Sequence, residues 1–463
     1  MELLNKKVLV VGMAMSGIGA AELCAEHGAL VTLSDGKQKD QLKEQLSHLK
    51  AAAEAPGIFG RAPSSEEACG FDLIILSPAV PADLPFLEAA RSAGVTVWGE
   101  IELARRFCKA PIVGITGTNG KTTTTTLMGE ILKAWKPGSL AAGNIGLAFT
   151  SVAESVPEEA AVALELSSFQ LETIDGFRPK VSAILNFTPD HLNRHYTYEN
   201  YVAAKCRIYE YQRPEDALVL NYDDPLVREK GEILAQREDA PSICWFSHEV
   251  RTPEGVWTQE GHILAEVRGE VLDIAAIEDL KIIGAHNEEN VMAAVGCALR
   301  MGVPVSILRE QLMNFRGVAH RIENVGSVRG VTWYNDSKGT NPDAAIKGLL
   351  AMRSEKTVLI GGGYDKGTPY DEWCRLFPGR VRELVLIGQT AEDIRACALK
   401  YGFHEEDIYM AASFDEAIEE CFRAARPGDS VLLSPACASW GMFDNYEQRG
   451  DLFREAAQRL QSR

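Results

Sequence analysis

A chain of 463 residues exceeds one ordinary core and calls for about three domains. With 46% hydrophobic and 24% charged residues it reads as a soluble globular protein, and a net charge of -18 argues against general nucleic-acid binding, which needs a basic face. No apolar run reaches membrane-spanning length and Lys6-Lys7 precede only Val8–Val11, so neither a membrane span nor a signal peptide is expected; the 10 scattered cysteines, with no Cys-x-x-Cys pair, read as small hydrophobes in a reducing cytoplasm rather than zinc ligands.

The first block, 1–99, opens on Lys7-Val8-Leu9-Val10-Val11-Gly12-Met13-Ala14-Met15-Ser16-Gly17. This predicts a buried strand, a glycine turn and a helix start, a degraded G-x-G-x-x-G with Ala14 in the middle place. Val31–Asp35 predicts a second strand ending in an acid, at about the distance the dinucleotide fingerprint expects. A nucleotide-diphosphate site and a βαβ unit without ligand both fit. Phe71–Leu76 predicts another strand, followed by Ser77-Pro78-Ala79-Val80 at the end where α/β sheets bind ligands.

The second block, 100–317, holds the strongest signal, Ile112-Val113-Gly114-Ile115-Thr116-Gly117-Thr118-Asn119-Gly120-Lys121-Thr122-Thr123. An apolar strand enters a glycine-rich turn, and Lys and hydroxyls follow at a helix start. That is a phosphate cradle: backbone N–H groups and the helix N-terminus face the anion, Lys121 reaches the outer phosphates and Thr122 suits Mg²⁺. Ile115 stands where the common P-loop has glycine, so a shorter loop is expected. Leu127, Met128, Ile131 and Leu132 share one face of the following helix. Further strands are predicted over Ala161–Leu166, Val181–Phe187 and Ala217–Asn221. Glu165 at a strand end suits a Mg²⁺ site, directly or through water. Asp190-His191 fits either a metal or phosphate site or a capping pair. Thr197 is expected to cap a helix through Tyr198, Tyr201, Val202, Lys205, Ile208 and Tyr209, whose spacing puts Lys205 inside an apolar stripe. Either its amine snorkels to water, or burial keeps it neutral and able to take up CO₂ as a carbamate.

The third block, 318–463, alternates strands (Val331–Tyr334, Thr357–Ile360, Glu383–Ile387, Ser430–Leu433) with helical segments, which predicts another mostly parallel sheet. His320-Arg321-Ile322-Glu323, Asn335–Asn341, Gly361–Gly367 and Ser434–Trp440 are polar loops, three of them directly after strands, and read together as a site.

These segments, in this order and over essentially the whole chain, resemble the Mur ligase family of peptidoglycan synthesis. The segments Asp336-Ser337-Lys338-Gly339-Thr340-Asn341 and Ser434–Ser439 resemble its D-glutamate-adding branch. The resemblance implies an α/β fold of three domains, Rossmann-like at both ends with a P-loop ATPase-type sheet between them. It implies an ATP-dependent amide ligase acting through an acyl phosphate on UDP-N-acetylmuramoyl-L-alanine and D-glutamate, with no nucleic-acid or membrane partner and a monomeric state. The UDP substrate would contact Met15, Ser16, Asp35, Gly36, Lys37, Ser77, Pro78, Ala79 and Asn144. ATP would contact Gly117, Thr118, Asn119, Gly120, Lys121, Thr122, Thr123, Asn287, Arg321, Asp336 and Lys338. D-glutamate would contact Thr340, Lys366, Ser439 and Tyr446. Thr122, Glu165, His191 and Lys205, the last as a carbamate, would hold Mg²⁺ at two sites; Lys121, Glu165, His191, Lys205 and Arg321 would be catalytic. The shorter loop at Ile115 is the family's own. The rivals are a folylpolyglutamate-type ligase, a non-catalytic UDP-sugar sensor, and a nicotinamide oxidoreductase resting on the first block alone.

Overall fold

Continuous apolar runs bounded by glycine turns make three sheets, as expected for strands buried on both faces. The computed structural model describes residues 2–365 and 367–461. The chain falls into two compact units, Met1–Glu278 with Glu289–Leu312, and Asp279–Glu288 with Met313–Arg463. The first unit carries two of the sheets and the second carries one.

Strands β1 (Lys7–Val11), β2 (Leu30–Asp35), β3 (Gly57–Phe59), β4 (Leu73–Leu76) and β5 (Thr96–Gly99) form an all-parallel sheet in the order β3-β2-β1-β4-β5. The order reverses between β1 and β4, and there the chain leaves the sheet through Gly12 and Ser77. Gly12 has φ +92, and a Cβ on it would stand 2.7 Å from Ser77 Cβ, so only glycine fits.

The second sheet is built from β6 (Ile112–Thr116), β7 (Leu140–Gly143), β8 (Val162–Glu165), β9 (Val181–Ile184), β10 (Ala217–Asn221), β11 (Ser242–Ser247), β12 (Val256–Gln259), β13 (His262–Val267) and β14 (Glu270–Ala276). Its order is β14-β13-β12-β11-β10-β9-β6-β8-β7, with β6 central between β8 and β9. Leu127, Met128, Ile131 and Leu132 of helix Lys121–Trp135 are all fully buried, as their shared face predicted. Burial of such side chains stabilises by about 1.5–3 kcal/mol each. The antiparallel ribbon β12–β14 was not foreseen; it alternates buried Ile263 and Ala265 with half-exposed neighbours. On its edge strand β14, Glu270 and Asp273 are exposed, and Arg309 Nε donates to Asp273 O at 3.1 Å.

The third sheet comprises β15 (Glu323–Val328), β16 (Val331–Asn335), β17 (Thr357–Gly361), β18 (Val381–Leu386), β19 (Ile408–Met410) and β20 (Ser430–Leu433), in the order β15-β16-β20-β17-β18-β19. Only the β15–β16 hairpin is antiparallel, so the expectation of a mostly parallel sheet holds. Among the described residues no helix is long and apolar enough to cross a membrane, and all the cysteines are free thiols.

Glu100 opens helix Glu100–Arg105 and is buried; its Oε1 accepts from Gln170 Nε2 at 2.7 Å while Oε2 has no partner. Burial raises its pKa from 4.5 to about 7, against a smaller opposing effect of the Gln170 hydrogen bond. The folded state therefore holds a proton that the unfolded chain has lost, and stability falls as pH rises from about 4.5 through about 7. Glu100→Gln removes this dependence. Between pH 5.5 and 8 the wild type is expected to lose about 2 kcal/mol relative to the variant. Urea unfolding of both proteins at the two pH values measures it, and equal losses would refute it.

Candidate active site

The phosphate loop begins where β6 ends. Gly117 (φ +154) and Gly120 (φ +84) take conformations that favour glycine, and helix Lys121–Trp135 starts immediately after. A Cβ on Gly120 would stand 2.1 Å from Asn290 Oδ1, so the loop lies hard against that amide. The loop is laced to the exit of β9. Asn119 N donates to Asn186 Oδ1 at 2.8 Å, Asn186 Nδ2 donates to Asn119 O at 3.2 Å, and Thr188 N donates to Thr118 Oγ1 at 3.0 Å. Lys121 Nζ donates to Gly117 O and Thr118 O, both at 2.8 Å, which holds its charge over the loop. Thr122 is half-buried on the first turn.

Glu165 pairs with Ile115 in the register of β6 and β8, so strand geometry alone sets it beside the loop. It is 2% exposed, not the half-exposed acid that a strand end commonly carries. Its Oε1 accepts from Asn144 Nδ2 at 3.0 Å, and its Oε2 is buried with no hydrogen-bond partner. An orphaned buried carboxylate oxygen fits a hard cation. Thr197 caps helix Tyr198–Cys206 as expected, Asn200 N donating to its hydroxyl at 3.2 Å; the predicted continuation tightens into a 3₁₀ turn over Arg207–Tyr209.

Lys205 does not snorkel. It is 2% exposed, its Nζ donates to Gly117 O at 2.8 Å and sits 4.8 Å from the Tyr201 ring centroid. Burial first, then the charge of Lys121, hold its pKa well below the ordinary lysine value, against the opposing pull of Asp190 and Glu165. Gly117, Lys121, Glu165, Asn144 and Lys205 are thus gathered at one sheet end. His191 is exposed and in the left-handed region (φ 52), its ring 4.9 Å from Phe169 and 3.5 Å from the Asp190 carboxylate. Among the described residues no three His, Cys, Asp or Glu side chains form a ready metal cluster.

In the first sheet, a cavity of about 420 Å³ opens at the switch point and is lined by Gly12, Asp35, Gly36, Lys37, Ser77 and Ala79. Asp35 ties its rim together: Oδ2 accepts from Met13 N at 2.8 Å and Oδ1 from Lys37 N at 2.9 Å. Met15 is exposed and Ser16 is half-buried at the start of helix Met15–Glu26. Arg194 donates to Val80 O at 2.9 Å and to Glu172 at 2.8 Å, which fixes the Ser77–Val80 turn.

In the second unit, Asp336 follows β16 and is buried; Ser434 Oγ donates to its Oδ2 at 2.7 Å and Ile322 N to its Oδ1 at 3.3 Å. Burial pushes its pKa up to about 7. His320 (φ 62) and Ile322 (φ 44) flank Arg321 in a conformation that costs about 1–3 kcal/mol for each. Lys338 Nζ lies 5.6 Å from the Tyr446 ring centroid, and Asn287 is buried with its amide donating to Ile283 O at 2.8 Å. Burial lowers the neighbouring His286 to about 4, with Lys347 and Arg321 adding to the shift. Thr340 is half-buried and Ser439 buried; Lys366 lies outside the described residues.

Asn186, Asn290, Arg194 and Arg449 were missed in the sequence. Asn290 left no signal at all. Arg449 did: it shares an i, i+4, i+7, i+8 stripe with Phe453, Ala456 and Ala457, the same pattern that exposed Lys205. Its guanidinium is fully buried and donates to Ser337 Oγ at 2.9 Å, Ser337 O at 2.7 Å and Cys437 O at 3.3 Å.

Three family models match the chain in succession: the Mur ligase MurD-like N-terminal domain over residues 6–99, the Mur ligase middle domain over 115–298, and the Mur ligase glutamate ligase domain over 320–437. A UDP-N-acetylmuramoylalanine–D-glutamate ligase of Lachnoclostridium phytofermentans is 46% identical over 98% of both chains. One of the same name from a Thermoanaerobacter species is 45% identical over 99% of this chain and 100% of its own. Among solved structures, the UDP-N-acetylmuramate-alanine ligase of Thermotoga maritima superposes with a TM-score of 0.56 at 20% identity, covering 98% of this chain and 100% of that one. A pseudomurein peptide ligase of Methanothermus fervidus does so with a TM-score of 0.55 at 18% identity and the same coverage; at these identities the likeness is one of fold. Together the site geometry, the three matched domains and the full-length relatives establish that the chain belongs to the Mur ligase family.

Proposed function

We propose that this chain is an ATP-dependent amide ligase that joins D-glutamate to UDP-N-acetylmuramoyl-L-alanine, releasing ADP and phosphate, in peptidoglycan precursor synthesis. The names of its full-length relatives support the substrates. One observation carries the chemistry: a phosphate loop, an orphaned Glu165 oxygen and a buried Lys205 amine share one end of one sheet. A UDP-sugar sensor would need none of the three.

Residues 1–99 bind the UDP moiety at the switch-point cavity, through Met15, Ser16, Asp35, Gly36, Lys37, Ser77, Pro78 and Ala79. Residues 100–317 carry the ATP and Mg²⁺ machinery, with Gly117–Thr123 on the phosphates and Asn144 at the muramoyl-alanine end. Residues 318–463 supply Thr340, Lys366, Ser439 and Tyr446 for D-glutamate, and Arg321, Asp336 and Lys338 for ATP; Asn287 faces adenine. Glu165, Thr122, His191 and a carbamate on Lys205 would hold Mg²⁺ at two sites. When bound it supplies positive charge to the phosphates.

The reaction follows from charge. A carboxylate is a poor electrophile, and an amine does not displace oxide from it. The alanyl carboxylate oxygen therefore attacks the γ-phosphorus, the bond to ADP breaks, and an acyl phosphate forms. The amine of D-glutamate adds to the acyl carbon, the tetrahedral adduct expels phosphate, and a proton leaves the nitrogen. Each pair of unit negative charges about 4 Å apart repels by ~4 kcal/mol at an effective dielectric near 20. Lys121 and Arg321 offset that repulsion, and the loop amides hold the phosphate chain in line.

Lys205 is suited to carbamate formation because burial favours its neutral amine. The lone pair of the neutral amine adds to the carbon of CO₂, one C=O pair moves to oxygen, and one N–H proton leaves the nitrogen of the adduct. The product is an anion, which suits a site already containing Lys121.

Phosphate release from ATP is expected only with UDP-N-acetylmuramoyl-L-alanine and D-glutamate both present. Release with L-alanine or a diamino acid in place of D-glutamate would sink the specificity. In ¹³C NMR, protein equilibrated with labelled bicarbonate should show a carbamate carbonyl signal that Lys205→Ala lacks. That variant should form no amide, and excess bicarbonate should not restore it; full activity would refute the role. Glu165→Gln keeps the shape of the side chain and removes its charge. Titration calorimetry with Mn²⁺ should show affinity weakened by about tenfold or more, and unchanged affinity would remove Glu165 from the metal site.

A further inference from the structure

In the second unit, β17 and β20 run side by side, pairing Thr357 with Ser430 through Ile360 with Leu433. Their pairing continues past the strand ends. Gly362 N donates to Pro435 O and Tyr364 N to Ala438 O, both at 2.9 Å. The two loops, 361–365 and 434–439, therefore approach as one ribbon, and Gly363 (φ +154) has no room for a side chain: a Cβ would stand 2.4 Å from Ala438 O. The second loop ends on Ser439.

A third segment reaches into this ribbon. Thr390, in the turn after β18, is fully buried. Its N–H donates to Gly363 O at 3.2 Å, and Gly363 N–H donates to its Oγ1 at 3.1 Å. The same hydroxyl lies 3.2 Å from Cys437 Sγ, and Cys437 Sγ lies 3.2 Å from Tyr370 Oη. One proton arrangement satisfies every group: Tyr370 O–H donates to Cys437 Sγ, Cys437 S–H donates to Thr390 Oγ1, and Thr390 O–H donates to Gly363 O, 3.4 Å away. Burial raises the Cys437 thiol above its ordinary value, so it keeps the proton this arrangement needs.

We propose that Thr390, through Cys437 and with Tyr370, is the positioning residue that sets the spacing of the two loops and so places Ser439 for D-glutamate. Thr390 touches no substrate. It acts by joining Gly363 of one loop to Cys437 of the other, two residues before Ser439. The proposal rests on the reading of Ser439 as a D-glutamate contact.

Thr390→Val keeps the shape of the side chain and removes both the acceptor for Gly363 N–H and the link to Cys437. The Michaelis constant for D-glutamate should rise ~tenfold, the scale of one lost hydrogen bond, while those for ATP and UDP-N-acetylmuramoyl-L-alanine stay as in the wild type. Thr390→Ser should restore it. If Thr390→Val does not fold, Tyr370→Phe, which breaks only the link to Cys437, should raise the D-glutamate constant in the same selective way. An unchanged D-glutamate constant in a folded variant, or an equal rise for all three substrates, overturns the proposal. Ser439→Ala is the control for its premise. If that variant binds D-glutamate normally, the reading of Ser439 fails, whatever Thr390 does.

Discussion

A lysine amine without solvent must lose its charge or find oxygen, and in this protein Lys205 finds Gly117 O at 2.8 Å. That contact joins helix Tyr198–Cys206 to the turn of the phosphate loop. The loop is held on its other side by Asn186 and Thr188, so its conformation is set from two elements at once. Glu165 adds the third constraint through strand register, since a shift of one residue would turn its carboxylate to the opposite face. A loop built this way is held in one conformation by three separate elements.

The second unit also buries a basic side chain. Arg449 is a buried guanidinium whose hydrogen bonds go to carbonyls and a hydroxyl rather than to a carboxylate. Asp336, the nearest acid by influence, is itself pushed toward neutrality by burial. Removing Arg449 would strand Ser337 O and Cys437 O in a dry interior, where each unpaired group costs about 1–3 kcal/mol. The cation is held by its role as a multi-point donor between the Ser337 and Cys437 loops. Strained backbone at His320, Ile322 and Ala436 lies in the same neighbourhood, as expected where loops are held in place against their local preference.

Much of this was legible in the sequence, for identifiable reasons. Strands such as Ile112–Thr116 and Leu73–Leu76 are uninterrupted apolar runs ended by glycine or by a Ser-Pro turn, and doubly covered parallel strands must read that way. The phosphate loop and the misplaced Lys205 were visible because each breaks a local pattern. What stayed hidden was of two kinds. The ribbon β12–β14 has too few buried positions for a strong alternation. Asn186 and Asn290 act through amides that touch the loop only after the chain has folded, and an Asn after a strand or inside a helix has no period to reveal it. Glu165 shows the limit from the other side. Its position at a strand end was readable, but the absence of any partner for Oε2 is a fact of packing.

The β14 edge has a bearing on how this protein behaves in a crowded solution. A sheet of this width ends in a row of backbone donors and acceptors that could template another strand. Here Arg309 already occupies Asp273 O, the Asp273 carboxylate lies 3.0 Å from His262 Nδ1, and Glu270 is exposed on the same border. A strand approaching edge to edge would meet an acceptor already taken and charged side chains that must be moved aside. The edge is thus blunted at one of the places where the fold leaves backbone unpaired.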